Sequence, residues 1–195
     1  MKTAALAWLA VMSPLAASPQ LDFALGILAE QRGDREAAAE AIEKARAADP
    51  AAFPLVRRVA EQHRASGDLE GASTLYREFA ASQPERLDAQ FAYADFLREA
   101  SPDDDFASKM AQETLEKALT RFPGELSIQR RLFRTYESLE QRDRSLAIFE
   151  SIASSQPGPA EALAAADMAR TLFPKDDLTA RARVDELLKG RQSKL

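Results

Sequence analysis

The sequence contains no cysteine. Disulfide frameworks, thiolate nucleophiles and Cys-ligated zinc are therefore excluded together. The compartment stays open, because a chain with an adequate core needs no covalent staple. Histidine occurs once, as His63, so neither a His-rich metal site nor a pair of imidazoles exchanging protons can be built. The glycines stand at 26, 33, 67, 71, 124, 158 and 190. These positions contain no P-loop and no G-x-G-x-x-G turn, and the G-x-S-x-G elbow is missing as well. Basic residues are not in excess: the net charge is −5, which excludes a global positive field for nucleic acid or anionic lipid. No apolar run reaches the roughly 20 residues of a membrane-spanning helix. The expectation is no enzyme, no cofactor and no metal.

What is present favours helix throughout. Ala is abundant and β-branched residues are few, and Ala, Leu, Glu, Arg and Gln lose little rotamer freedom in a helix. A chain of 195 residues is long enough for one domain or one short repeat array with a continuous core. At the N-terminus, Lys2 precedes an uncharged apolar stretch at residues 3–12, then Pro14 and the small residues Ala16, Ala17 and Ser18. This is the layout of a secretory signal cut after Ser18, which predicts a periplasmic or secreted protein. The alternative is a cytoplasmic protein in which Leu6, Trp8, Leu9 and Met12 face inward from a first docked helix.

Proline supplies the punctuation. Pro50 closes "EKARAADP", Pro84 closes "REFAASQP", Pro123 closes "EKALTRFP" and Pro157 closes "ESIASSQP". Pro50 and Pro84 stand 34 residues apart, as do Pro123 and Pro157, while Pro84 and Pro123 are 39 apart. A constant period of this size marks a stacked helical array, and the longer interval is one period with an insertion of five.

The residues between the prolines carry a second pattern. The first repeat offers Leu25, Gly26, Gly33-Asp34, Ala38, Ile42, Ala45 and Pro50. The second offers Val56, Val59, Ala60, Gly67-Asp68, Ala72, Tyr76, Phe79 and Pro84. The third offers Tyr93, Ala94, Leu97, Ala111, Leu115, Ala118 and Pro123, and the fourth Leu132, Phe133, Tyr136, Phe149, Ile152 and Pro157. Over residues 19–157 the chain resembles the tetratricopeptide repeat family, in its bacterial type. The fourth repeat departs most: Phe133 stands where a small residue is usual, Glu140 where the turn glycine is usual and Ser145 where Ala is usual.

The resemblance implies an all-α, right-handed α-solenoid of stacked antiparallel helix pairs. Repeats are expected at about 19–52, 53–86, 87–125 and 126–159, with a partial repeat and a C-terminal capping helix over 160–190 and a tail at 191–195. The physics agrees. Small residues at Gly26, Ala60 and Ala94 let helix backbones approach. Gly33 and Gly67 suit the left-handed position that ends a helix, Asp34 and Asp68 cap the next one, and Ser18-Pro19 does the same at the start. Near 177–190, Val184, Leu187 and Leu188 give the last helix one apolar side, as a solenoid end requires. Residues 101–106 hold the insertion. Three consecutive Asp there read as a solvated helix cap, since the alternating ligands and distant Glu of a calcium loop are missing.

In proteins similar to this one, the first helix of each repeat lines a concave groove. The family's groove positions fall on Phe23, Ala24, Ile27 and Glu30, on Arg57, Arg58, Glu61 and Arg64, on Asp88, Phe91, Ala92, Asp95 and Arg98, and on Arg130, Arg131, Arg134 and Glu137. The resemblance thus implies an Arg-rich groove for a protein or peptide segment with acidic residues, with Phe23, Ile27 and Phe91 as apolar contacts. Exposed i,i+4 pairs such as Arg57–Glu61 also decorate helices that bind nothing. The alternative function is a structural or self-associating module of a larger assembly, with no small-molecule chemistry. Asp88, Asp95, Glu61 and Glu137 interrupt the arginines and speak against nucleic acid. His63 falls where the family packs an aromatic and is expected in the core or at its edge.

Overall fold

The computed structural model describes residues 18–154 and 158–174. The signal-like stretch at 1–17, Pro157, the cap helix expected near 177–190 and the tail at 191–195 lie outside the described residues. Within them run α1 (Pro19–Gln31), α2 (Arg35–Ala48), α3 (Phe53–Ala65), α4 (Leu69–Ser82), α5 (Leu87–Ala100), α6 (Asp105–Arg121), α7 (Leu126–Ser138), α8 (Arg142–Ser154) and α9 (Pro159–Leu172). No strand occurs among the described residues, and no helix there is long and apolar enough to cross a membrane. The chain forms two compact units, Met1–Leu75 and Tyr76–Leu195, and the division falls inside α4.

Within the first unit α2 packs on α1 and α3 on α2. Within the second, α6 packs on α5, α7 on α6, α8 on α7 and α9 on α8, with α7 also reaching α9. Within each unit the helices that pack in this way are neighbours in sequence, so the apolar face of one is buried by the next. Ile42, Ala45, Val56 and Ala60 form the interior of the first unit, and Ala94, Ala111, Leu115, Ile128 and Leu132 lie inside the second.

The turns within hairpins repeat one hydrogen-bond scheme. Gly33 N–H donates to the Glu30 carbonyl (3.0 Å) and Asp34 N–H to the Ala29 carbonyl (3.0 Å). Gly67 and Asp68 do the same to Arg64 (3.1 Å) and His63 (2.9 Å), and Glu140 and Gln141 to Glu137 (3.1 Å) and Tyr136 (2.8 Å). This double bond satisfies carbonyls at a helix end, and it places the first residue of each pair in the left-handed region. Gly33 (φ 78°) and Gly67 (φ 84°) adopt it freely, but Glu140 (φ 55°) must adopt it with a side chain. A left-handed L-residue costs roughly 1–2 kcal/mol, part of which glycine's greater unfolded-state entropy would return. Glu140→Gly should therefore raise stability by about 0.5–1 kcal/mol in urea unfolding. A neutral or destabilising result would mean that the Glu140 side chain holds something the turn needs.

The expected caps are present. Asp34 accepts from Ala37 N–H (3.1 Å), Asp68 from Gly71 N–H (2.8 Å), Asp104 from Phe106 N–H (2.8 Å), and Ser18 from Leu21 N–H (3.4 Å) ahead of Pro19. Asp104 thus takes the role expected of the acidic insertion. The insertion itself is not a single loop. Compared with the second hairpin, α5 and the following connection each gain one residue and α6 gains three, being 17 residues long against 14 for α4. The connections between hairpins do not change: residues 49–52, 83–86 and 122–125 each number four.

The eighth residue of each first helix is Gly26, Ala60, Ala94 and then Phe133. A Cβ on Gly26 would overlap Ile42 Cγ1 and stand 3.3 Å from the Ala38 carbonyl oxygen. Ile42 is wholly buried and cannot swing into solvent. Helix propensity favours Ala over Gly by about 1 kcal/mol, whereas overpacking costs about 1–3 kcal/mol. Packing should win, so Gly26→Ala should lower the melting temperature, and a rise would show that α1 and α2 have room to separate.

Leu25, one of the residues that carry the repeat pattern, is 50% exposed, and Leu21 and Leu28 on the same side are 48% and 40% exposed. The equivalent Val59, Tyr93 and Leu132 are buried. His63, expected in the core or at its edge, is half-buried, with 39% of its side chain exposed, and sets Nδ1 2.7 Å from Asp68 Oδ2. The Gly71 N–H bond of the cap first, then the bond to the His63 imidazole, hold the Asp68 carboxyl below the usual range.

Candidate ligand-binding surface

The arginines of interest lie on first helices, and comparing α3 with α7 register by register separates them. The fifth and sixth residues are Arg57 and Arg58 in α3, and Arg130 and Arg131 in α7. In both helices the sixth-position arginine reaches back to an acid on the preceding first helix. Arg58 Nη2 pairs with Glu30 of α1, and Arg131 forks onto Asp95 of α5, with Nε–O distances of 3.2 and 3.1 Å and an Nη2–O distance of 3.0 Å. Charge-assisted bonds of this geometry hold adjacent hairpins in register. Glu30 and, to a lesser extent, Glu61 hold the Arg58 guanidinium above its ordinary value.

The ninth residue breaks the parallel. In α3 it is Glu61, which lies 3.7 Å from Arg57 and 3.5 Å from Arg58, so the positive charge of that helix is answered locally. In α7 it is Arg134. Its Nε donates to the Arg130 carbonyl (3.3 Å), and it forms no ion pair among the described residues. Desolvation, then the charges of Arg98 and Arg131, push the Arg134 guanidinium below the ordinary arginine value, against Asp95.

Arg131 is fixed twice over, because its guanidinium carbon also sits 3.9 Å above the Phe91 ring. Stacking on an aromatic face leaves a planar fork little freedom. It also changes the role of Phe91: one ring face is already covered, so Phe91 supports an arginine instead of standing open as an apolar anchor. Asp95, Arg98, Glu99, Arg131 and Arg134 line a cleft of about 300 Å³ between α5 and α7. In the first unit, Phe23 and Ile27 are half-buried on α1, while Arg57 and Arg64 are exposed on α3. The structure therefore brings together Arg98, Arg131, Arg134 and, beneath Arg131, Phe91. It brings Arg58 to Glu30 and Arg57 to Glu61.

A larger cleft of about 700 Å³ is lined by residues of α6, of the α7–α8 turn and of the start of α8, among them Lys109, Glu113, Glu140, Arg142 and Arg144. Beside it, one oxygen of Glu116 accepts from Tyr136 Oη (2.9 Å), Gln112 Nε2 (2.9 Å) and Arg144 Nη1 (2.7 Å). Arg142 Nη2 donates to the last carbonyl of α9, that of Leu172 (2.6 Å). These groups satisfy one another and bind the hairpins together. Among the described residues no cluster of three or more His, Asp or Glu could hold a metal ion.

No family model matches the sequence, and no curated protein matches it. Solved structures do match the fold. MamA (residues 41 to the end) from Desulfovibrio magneticus RS-1 aligns over 90% of this chain and 96% of its own, at 15% identity and a TM-score of 0.54. A second MamA structure aligns over 88% and 86%, at 16% identity and a TM-score of 0.53. A putative kinesin light chain of Podosopora anserina, whose TPR-like repeats are nearly identical, aligns over 89% and 92%, at 18% identity and a TM-score of 0.53. With the helix order, the repeated turns and the small residues at helix crossings, this likeness establishes that the chain has the tetratricopeptide-type fold, an all-α solenoid of antiparallel helix pairs.

Proposed function

We propose that the protein is a protein–protein interaction module that captures a segment with acidic residues on the first-helix faces of its repeats. A helical-repeat fold buries its core between hairpins and leaves these faces as working surface. The observation that carries the reading is the cluster of Arg98, Arg130 and Arg134, none of which has an ion-pair partner among the described residues. They belong to a chain of net charge −5, so the basic groups are set apart from the acidic excess. In the first unit, Phe23 and Ile27 offer half-buried apolar surface on α1.

The test is isothermal titration of acidic peptides against the protein and against a variant with Arg57 and Arg130 both changed to Glu. These arginines are exposed and do not bridge helices, so the fold survives their reversal. Affinity should fall by about tenfold or more, and steeply with added salt. Unchanged affinity would remove the reading. If residues 1–18 are a secretory signal, the partners are met outside the cytoplasm, which mass spectrometry of the natively expressed mature protein reads directly.

A second reading, self-association, is favoured by one observation. Leu21, Leu25 and Leu28 form an exposed apolar side of α1, the kind of patch that another surface covers. Sedimentation across concentrations separates the two readings, because self-association requires no peptide.

A further inference from the structure

We propose that the cleft between α5 and α7 is an oxyanion subsite in which Arg98 and Arg134 take a group carrying two negative charges, either a phosphoryl group or two neighbouring carboxylates. The proposal deepens the interaction-module reading and rests on it for the macromolecule that carries the anion.

The argument starts from the register. In α3 the ninth residue, Glu61, neutralises the arginines one turn before it. In α7 the same place holds Arg134, so a helix that already carries Arg130 and Arg131 gains a third positive charge in place of a balancing acid. Helix stability does not ask for this, since like charges one turn apart repel. From the facing helix comes Arg98, half-buried and without an ion-pair partner among the described residues. Asp95 offsets the repulsion at Arg134 only in part, because Arg131 already forks onto both of its oxygens.

Arg98 and Arg134, neither with an ion-pair partner among the described residues, therefore share a cleft of about 300 Å³ with Arg131, which is paired to Asp95, and with Glu99. Guanidinium forks match oxyanions bidentately, so two of them fit the several acceptor oxygens of a phosphoryl group or of two neighbouring carboxylates, which a single carboxylate does not supply to both. The stack of Arg131 on Phe91 (3.9 Å) makes one wall rigid, so binding orders only Arg98 and Arg134. The depressed Arg134 guanidinium is what a site awaiting its counter-ion should show.

The first test is arginine side-chain NMR of the full chain titrated with inorganic phosphate. The Nε–H signals of Arg98 and Arg134 should move together, while Arg131 and the exposed, paired Arg57 stay. If Arg98 and Arg134 respond no earlier than Arg57, the cleft holds an adventitious ion only and the proposal falls. Arg134→Glu copies the α3 register. It should raise the melting temperature by pairing with Arg130 and Arg131 and abolish the phosphate response; a surviving response would overturn the proposal.

The second test compares three peptides that differ only at their centre: phosphoserine, Glu-Glu and Gln-Gln. The charged peptides should bind about tenfold tighter than the neutral one. That preference should vanish in R98Q/R134Q and persist in R57Q, with R98K/R134K retaining part of it as a check on folding. The larger preference identifies the source of the anion. A preference untouched in R98Q/R134Q overturns the subsite and leaves the interaction module standing. A phosphate response without binding of any peptide keeps the subsite and overturns the module.

Discussion

Replacing Leu132 by alanine should cost the protein about 2–5 kcal/mol of unfolding free energy, the range for deleting a fully enclosed leucine. Leu132 is wholly buried at the centre of α7, and α7 is packed on both sides, by α6 and α8. A cavity there cannot close by the movement of one neighbour, because each neighbour is itself held by the next hairpin. In a linear array the loss also spreads, since every hairpin relies on contact with adjacent ones. Leu163→Ala supplies the contrast. Its side chain is 62% exposed, and its loss should stay within about 0.5 kcal/mol. Urea unfolding followed by circular dichroism measures both. A Leu132→Ala loss as small as that of Leu163→Ala would mean that the interior of the second unit is not packed as described.

Alkaline pH should remove a comparable amount through a single phenol. Burial first, then the Glu116 carboxylate that its hydroxyl donates to, push Tyr136 up to about 12 from an ordinary value of 10.0. The raised value means that the folded protein keeps the proton which the unfolded chain gives up earlier. The stabilisation is complete below the unfolded value and disappears as pH climbs through the folded one. The window is therefore pH 10 to 12, and a shift of this size corresponds to about 3 kcal/mol. Lysines and the other tyrosines titrate nearby, so the useful quantity is the stability difference between the native protein and Tyr136→Phe. That difference should shrink steadily across the window. A constant difference would show that the phenol is not enclosed and that Glu116 takes only its other two donors.

Much of the architecture could be read from the chain because the elements that set it are local. Pro50, Pro84 and Pro123 end second helices, Gly33-Asp34 and Gly67-Asp68 make the turns, and Gly26, Ala60 and Ala94 stand where backbones must approach. Each of these is a matter of backbone conformation or side-chain volume at one position. Glu140 was recognisable as the exception, and its positive φ shows that the turn geometry overrides the residue placed in it.

The surface was harder, for an equally physical reason. Whether an arginine is available depends on side chains remote in sequence: Arg58 meets Glu30 from 28 residues away, and Arg131 meets Asp95 from 36. Seven arginines looked alike when counted along first helices. Their separation into paired and unpaired sets required knowing which acid lay opposite. The exchange of Glu61 for Arg134 at the ninth position was visible in the sequence and would have flagged the difference. The exposure of Leu25 was not, since exposure depends on what packs against α1 and not on the residues of α1 itself.

The constancy of the tetrapeptides at 49–52, 83–86 and 122–125 has a practical consequence. A hairpin can lengthen at its tip without disturbing its neighbours, because growth there projects away from the seam, and the third hairpin has absorbed five residues in this manner. A seam tetrapeptide has no such freedom; one added residue would rotate everything downstream. Grafted epitopes, reporter insertions and affinity tags therefore belong at the tips, above all at residues 101–104, while cassette exchange of whole hairpins should cut inside the seams and preserve their count.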